Sequence, residues 1–204
     1  MILLSAGHGG IKDGRYVTAG KRGRIISGGY KDNYIFEGVA NRLICSMIQF
    51  MAMRDGVLTE LLSDEIHDTR RSTKIAREKE LSKRFETVLL EVHFNATRLH
   101  NGHGFEVFVS NNSSDRSKKF AERIIMRVKR DLGLKVRREY SSVHTWYKIR
   151  DFDMIALTSC PAVLVEGGFM DNELDQPLIL DMNWMRDLSS AYYYSALDVL
   201  EINK

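Results

Sequence analysis

Four residues far apart along the chain could bind a metal and move a proton: His8, Glu37, His93 and Glu166. His8 sits in Gly7-His8-Gly9-Gly10, where an opening apolar run stops. His93 follows the run VLLEV. Glu166 follows AVLV and precedes Gly167-Gly168. Glu37 lies in NYIFEGVAN, in the first turn of a helix. Each has an ordinary structural use alone: a turn residue, a core imidazole, a carboxylate favouring the positive end of its helix, a turn brace. Together they are a chemical set. Two imidazoles and a carboxylate form the His₂Glu group that catalytic zinc takes, with a fourth position left for water. Zinc lowers the pKa of such a water to about 7. A carboxylate that does not bind the metal, Glu166, can take the water proton and pass it to a leaving amine. The glycines beside His8 and Glu166 let backbone and substrate come close. The expected chemistry is hydrolysis with one Zn²⁺ per chain.

These residues need elements to hold them. Met1–Ala6, Val57–Leu62, Val88–Val92, Phe105–Val109 and Ala162–Val165 read as strands. A helix is expected near Tyr34 to Met53, with Val39, Leu43, Met47 and Phe50 at helical spacing and Asp32 or Asn33 as cap. Asp68 to Phe85 is helix-prone. Ser113–Leu132 is amphipathic, with Phe120, Ile124, Val128 and Leu132 four apart and Gly133 as the stop. Asn183 to Leu200 closes the chain, capped by Asp181. Buried strands alternating with helices predict an α/β fold: a mainly parallel twisted sheet flanked by helices, one domain over 1–204. In such sheets, sites gather at the carboxyl ends of strands, where three of the four residues stand.

The 204 residues suffice for one good core. No apolar run approaches the roughly 18 residues of a membrane span, and the opening residues lack the pattern of an export signal. Cys45 and Cys160 read as core thiols. Net charge is only +3, but Lys118, Lys119, Arg127, Lys129, Arg130, Lys135, Arg137 and Arg138 crowd one region. That region is either a solvated helix face or a contact for a polyanion such as an anionic cell envelope.

The residues, in this order, resemble the zinc-dependent N-acetylmuramoyl-L-alanine amidases of the type 3 family. The shared patterns are the Gly-His-Gly-Gly turn, Glu37 with Asn41 four later, His93-Phe94-Asn95-Ala96, and Pro161 through Glu166 to Phe169, then Asn172. The resemblance covers nearly the whole chain. It implies that His8, Glu37 and His93 hold zinc and that Glu166 is the catalytic carboxylate. It further implies that the reaction cleaves the amide between the lactyl group of muramic acid and L-alanine in peptidoglycan. Asn95 is then a candidate for positioning the site or substrate. Two departures stand out: the family's usual acidic residue near the first motif is Ser5 here, and the small residue two before the second histidine is Glu91. A bare catalytic domain fits a phage lysis enzyme, made in the host cytoplasm and released to the wall.

The nearest rival is a zinc peptidase cutting peptide stems, since only the groove would differ. A nucleic-acid-binding module using the basic helix is weaker, because aromatics are not interleaved with its cations. The pair His103 and Glu106 mimics a His-x-x-Glu ligand motif, but Glu106 should alternate away from Phe105, Val107 and Val109. His67, His100 and His144 read as surface or loop residues, with His144, near Trp146 and Tyr147, a candidate for the groove wall. The sequence leaves the oligomeric state open.

Overall fold

The computed structural model describes residues 1–26, 33–64, 66–139 and 145–202. Its elements run β1 (Ile2–Ala6), β2 (Ile11–Lys12), β3 (Arg15–Tyr16), β4 (Arg22–Arg24), β5 (Tyr34–Phe36), α1 (Glu37–Arg54), β6 (Thr59–Leu61), α2 (Arg71–Ser82), β7 (Val88–Asn95), β8 (Glu106–Val109), α3 (Asp115–Leu132), β9 (Lys148–Ile149), α4 (Asp153–Ala156), β10 (Ala162–Phe169), α5 (Gln176–Ile179) and α6 (Met182–Val199). Six strands form one sheet in the order β6-β1-β7-β10-β8-β9. Every pairing in it is parallel except β10 with β8. The expected mainly parallel α/β architecture is what forms. None of the described helices is long and apolar enough to cross a membrane.

Side-chain alternation splits the sheet into two faces. One face carries Leu4, Leu90, Val92, Val165, Val107 and Val109 into the larger core, beneath α1, α3 and α6. The other carries Leu3, Leu89, Leu164 and Phe108 into a smaller core with Leu81 of α2 and Met154 of α4. On that second face four strands change character partway along. Leu3 gives way to Ser5, Leu89 to Glu91 and His93, and Leu164 to Glu166. In antiparallel β8 the change runs backwards, from Phe108 to Glu106. A polar row thus crosses four strands at one end of the sheet.

The long helices follow from caps and stripes. In α3, Phe120, Ile124 and Val128 are fully buried. Ser114 accepts a hydrogen bond from the Ser117 amide at 3.1 Å, and Gly133 closes the helix at φ 63°. Ser114→Ala is expected to cost about 1 kcal/mol of stability. Urea denaturation with an unchanged midpoint would count against that cap. Asp181 caps α6 by accepting from the Asn183 amide at 2.8 Å.

Several boundaries differ from the sequence reading. The helix expected near Tyr34 begins at Glu37, because Tyr34–Phe36 pair with Arg22–Arg24 as β5. Phe36 is the N-cap residue, without a side-chain bond, so Asn33 does not cap it; Asp32 lies outside the described residues. The buried stripe of α1 is also rotated by one residue. Ile44, Ile48 and Met51 are buried, while Val39 and Phe50 are exposed. The helix is apolar on most sides, so spacing alone permits either stripe. What selects this one is that Glu37 and Asn41 share it with Ile44 and Ile48, and all four face the sheet. The two expected segments at 57–62 and 68–85 shorten to β6 and α2. Strands β7 and β10 run past their expected ends, so His93 and Glu166 lie within them. Both cysteines are free thiols, Cys45 buried and Cys160 partly buried against the smaller core.

Candidate active site

The polar row brings the four predicted residues together. Glu37 Oε1 lies 2.8 Å from His93 Nδ1, and its Oε2 lies 3.4 Å from His8 Nε2. The two imidazole rings meet edge to face, with centroids 5.2 Å apart. One ligand atom from each of His8, Glu37 and His93 falls within 4.8 Å of the others, a spacing able to hold a metal ion. Glu166 is the register partner of His93 on the neighbouring strand. Its Oε2 is buried and, among the described residues, has no hydrogen-bond partner.

Each ligand candidate is held by backbone geometry. His8 adopts φ 61°, a left-handed conformation rare for a residue with a Cβ. The turn is pinned from α1: Asn41 Nδ2 donates to the Gly7 carbonyl at 2.9 Å, and Arg42 Nη1 donates to the His8 carbonyl at 2.5 Å. On the other side the Gly9 amide donates to Thr18 Oγ1 at 2.7 Å, and Thr18 donates to Asp68. The glycines are required by contact. A Cβ on Gly38 would stand 1.8 Å from the Gly9 carbonyl oxygen, so α1 starts against the turn itself. A Cβ on Gly7 would stand 2.1 Å from His93 Cε1. Gly7→Ala is therefore expected to push the His93 ring aside and weaken any metal binding at this candidate site by about 10–100-fold, the range for lost supports of a metal ligand. Metal titration of the folded variant checks it; unchanged affinity would show that the ring has room.

The electrostatics follow from burial and neighbours. Burial alone would lower the His93 pKa, but hydrogen bonds to Glu37 and Glu91 outweigh it and push the ring up to about 10. Burial lowers His8, with Glu37 opposing only in part. Glu166 is pushed up to about 8, chiefly by burial, against the pull of His93.

The row continues past Glu166. Glu106, its register partner on β8, is buried and accepts from Asn95 Nδ2, Arg137 Nε and Lys148 Nζ at 2.8, 2.8 and 2.6 Å. Asn95 thus stands beside the site, oriented by Glu106. His103 does not join it, since its Nδ1 meets Asp175 at 2.7 Å. His100 meets Asp171 at 2.8 Å, and exposed His67 meets Asp64. His144 lies outside the described residues. Sequence reasoning missed Lys74, Glu106 and the bracing roles of Glu91 and Arg42. Alternation in VLLEVHFN puts Glu91 on the face of His93, so that signal was present; nothing in the sequence places Lys74 there. A groove of about 950 Å³ opens above the row, lined among others by His8, Lys21, Glu37, Arg70, Phe152 and Glu166.

The basic region is less open than its composition implies. Lys118 pairs with Asp115, Arg127 with Asp198, Arg130 with Asp131 and Arg137 with Glu106. Lys129 and Arg138 lie over the Trp146 ring at 3.7 and 5.1 Å.

The chain is 24% identical over 215 residues to the endolysin of Bacillus phage SPP1, spanning all of this chain and 67% of that protein. The fold is similar to the catalytic domain of CwlV, an N-acetylmuramoyl-L-alanine amidase from Bacillus (Paenibacillus) polymyxa, at TM-score 0.76 and 17% identity over 99% of this chain and 98% of that one. It is similar also to the catalytic domain of an endolysin targeting Clostridia difficile, at TM-score 0.69 and 20% identity over 97% and 96% of the two chains. Residues 2–197 match the family Amidase_3, described as N-acetylmuramoyl-L-alanine amidase. The chain belongs to that family and is a hydrolase of amide bonds in peptidoglycan.

Proposed function

We propose that the chain is a zinc-dependent N-acetylmuramoyl-L-alanine amidase acting in phage-driven lysis of the host. In this reading His8, Glu37 and His93 hold one Zn²⁺, Glu166 moves the proton, and Asn95 helps position the substrate. The carrying observation is the convergence of three ligand atoms within 4.8 Å of one another beside a buried carboxylate with an unpartnered oxygen. The donor set fits zinc: two imidazoles and one carboxylate are borderline and hard donors in the proportion that catalytic zinc sites use. Likeness to a phage endolysin supports release from the host cytoplasm and action at the wall.

The chain's own residues account for the rest. Zinc bound there supplies Lewis acidity for the water and the scissile carbonyl. Glu37 holds both rings in place from the start of α1. Glu166 receives a proton on the buried oxygen and delivers it to the leaving L-alanine nitrogen, which departs as a free amine. Burial suits that shuttle, because a carboxyl with a pKa near neutrality both accepts and gives a proton readily. Asn95, fixed by Glu106, keeps one amide group at the edge of the site. A secondary contact with anionic envelope surface belongs to Lys129, Arg138 and their neighbours on and near α3.

Product analysis of digested peptidoglycan tests the reading. New N-terminal L-alanine should appear, with no new reducing sugar ends. New amino groups from D-alanine or a diamino acid alone would favour the stem peptidase instead.

A further inference from the structure

Ser5 and Glu91 are register partners on adjacent parallel strands β1 and β7. Paired residues in such strands lie about 4.8 Å apart and point to the same face. Both side chains are buried. Glu91 Oε1 lies 3.3 Å from His93 Nε2, the ring nitrogen opposite the one that faces Glu37. Lys74, itself buried, reaches in from α2: its Nζ donates to Ser5 Oγ at 2.8 Å and to the Ala6 carbonyl at 3.2 Å, and lies 3.7 Å from Glu91 Oε1. Glu91 Oε2 has no hydrogen-bond partner among the described residues.

A carboxylate is costly to bury unless something uses it and something neutralises it. Here Lys74 neutralises it. The use is at His93. An acceptor on Nε2 fixes the proton there and leaves the Nδ1 lone pair directed at Glu37 and the ligand cluster. We propose that Glu91, with Lys74 as its counter-ion, is the positioning residue that orients His93 for metal binding. This rests on the metal-site reading of His8, Glu37 and His93.

The test measures zinc affinity of the purified chain by competition with a chromophoric chelator, with the Co²⁺ spectrum as a second readout and circular dichroism for the fold. Glu91→Ser is expected to weaken zinc binding about 10–100-fold and to alter the Co²⁺ spectrum. Ser5→Asp combined with Glu91→Ser places a carboxylate on β1 beside Lys74, and affinity should recover to within a few-fold of the parent. Should Glu91→Ser not fold, Glu91→Met keeps the length, removes the oxygen acceptor and carries the same expected weakening. Parent-like affinity in the single variant, or failure of the double variant to recover, overturns the assignment of Glu91. A parent chain that takes up no zinc overturns the metal site itself, and with it this inference.

Discussion

Glu166→Gln is expected to lower turnover by about 10²–10⁴-fold, the usual contribution of a positioned acid or base, while zinc still binds one ion per chain. The structure argues for that separation. Glu166 stands beside His93 across the β7–β10 ladder, but its oxygens are outside the group of three ligand atoms. Glutamine keeps the size and burial of the side chain and removes only its capacity to carry a proton. Steady-state hydrolysis and metal analysis of the same sample decide it. Loss of zinc in the variant would mean that Glu166 is a ligand; retained turnover would mean that the proton travels elsewhere.

The second large effect is a pH dependence of metal affinity. In the metal-free chain His93 holds its proton up to about 10. A metal must displace that proton, so affinity should rise about tenfold per pH unit between pH 6.5 and 9. Stability of the metal-free chain should run the other way. The fold raises the His93 pKa from 6.5, so that contribution is complete below 6.5 and is lost as pH climbs towards 10. The fold raises the Glu166 pKa from 4.5 to about 8, so its stabilising neutral form is given up between those values. His8 is shifted down, so its contribution runs the other way near and below pH 6.5 and adds little slope well above that value. A chelated sample should therefore melt at a lower temperature at pH 9 than at pH 6. A flat melting curve against pH, or zinc affinity independent of pH, would refute the charge assignment at His93.

Three of the four candidate residues were legible because each closes an apolar run, and a charged or imidazole group after such a run has little packing value; Glu37 was read from the start of its helix. Fold class was legible for the same reason: strands and helices alternate with distinct periodicities. Less legible was what depends on contact between distant segments. The start of α1 was misplaced because its preceding residues had a better partner in β4 than in the helix. Its buried stripe was misread because apolar residues surround the helix, and only the position of Glu37 chooses among them. Lys74 was invisible, since a lysine among the charges of α2 reads as solvent-facing until the helix is docked over Ser5 and Glu91.

The tight fit of Gly38 against the Gly9 carbonyl has a consequence for diversification. Both ends of the excursion between those two glycines are anchored to each other, and its described part is tied down again where Gln176 bonds the Ile26 amide and the Arg24 carbonyl. Exchange of described residues within it, stopping short of Glu37, would reshape the groove's rim at Lys21 and Arg22 while His8, Glu37 and His93 keep their places. A single-residue insertion between Glu37 and Arg42 has no such freedom, because it would swivel the carboxylate about 100° around the helix axis and away from both histidines.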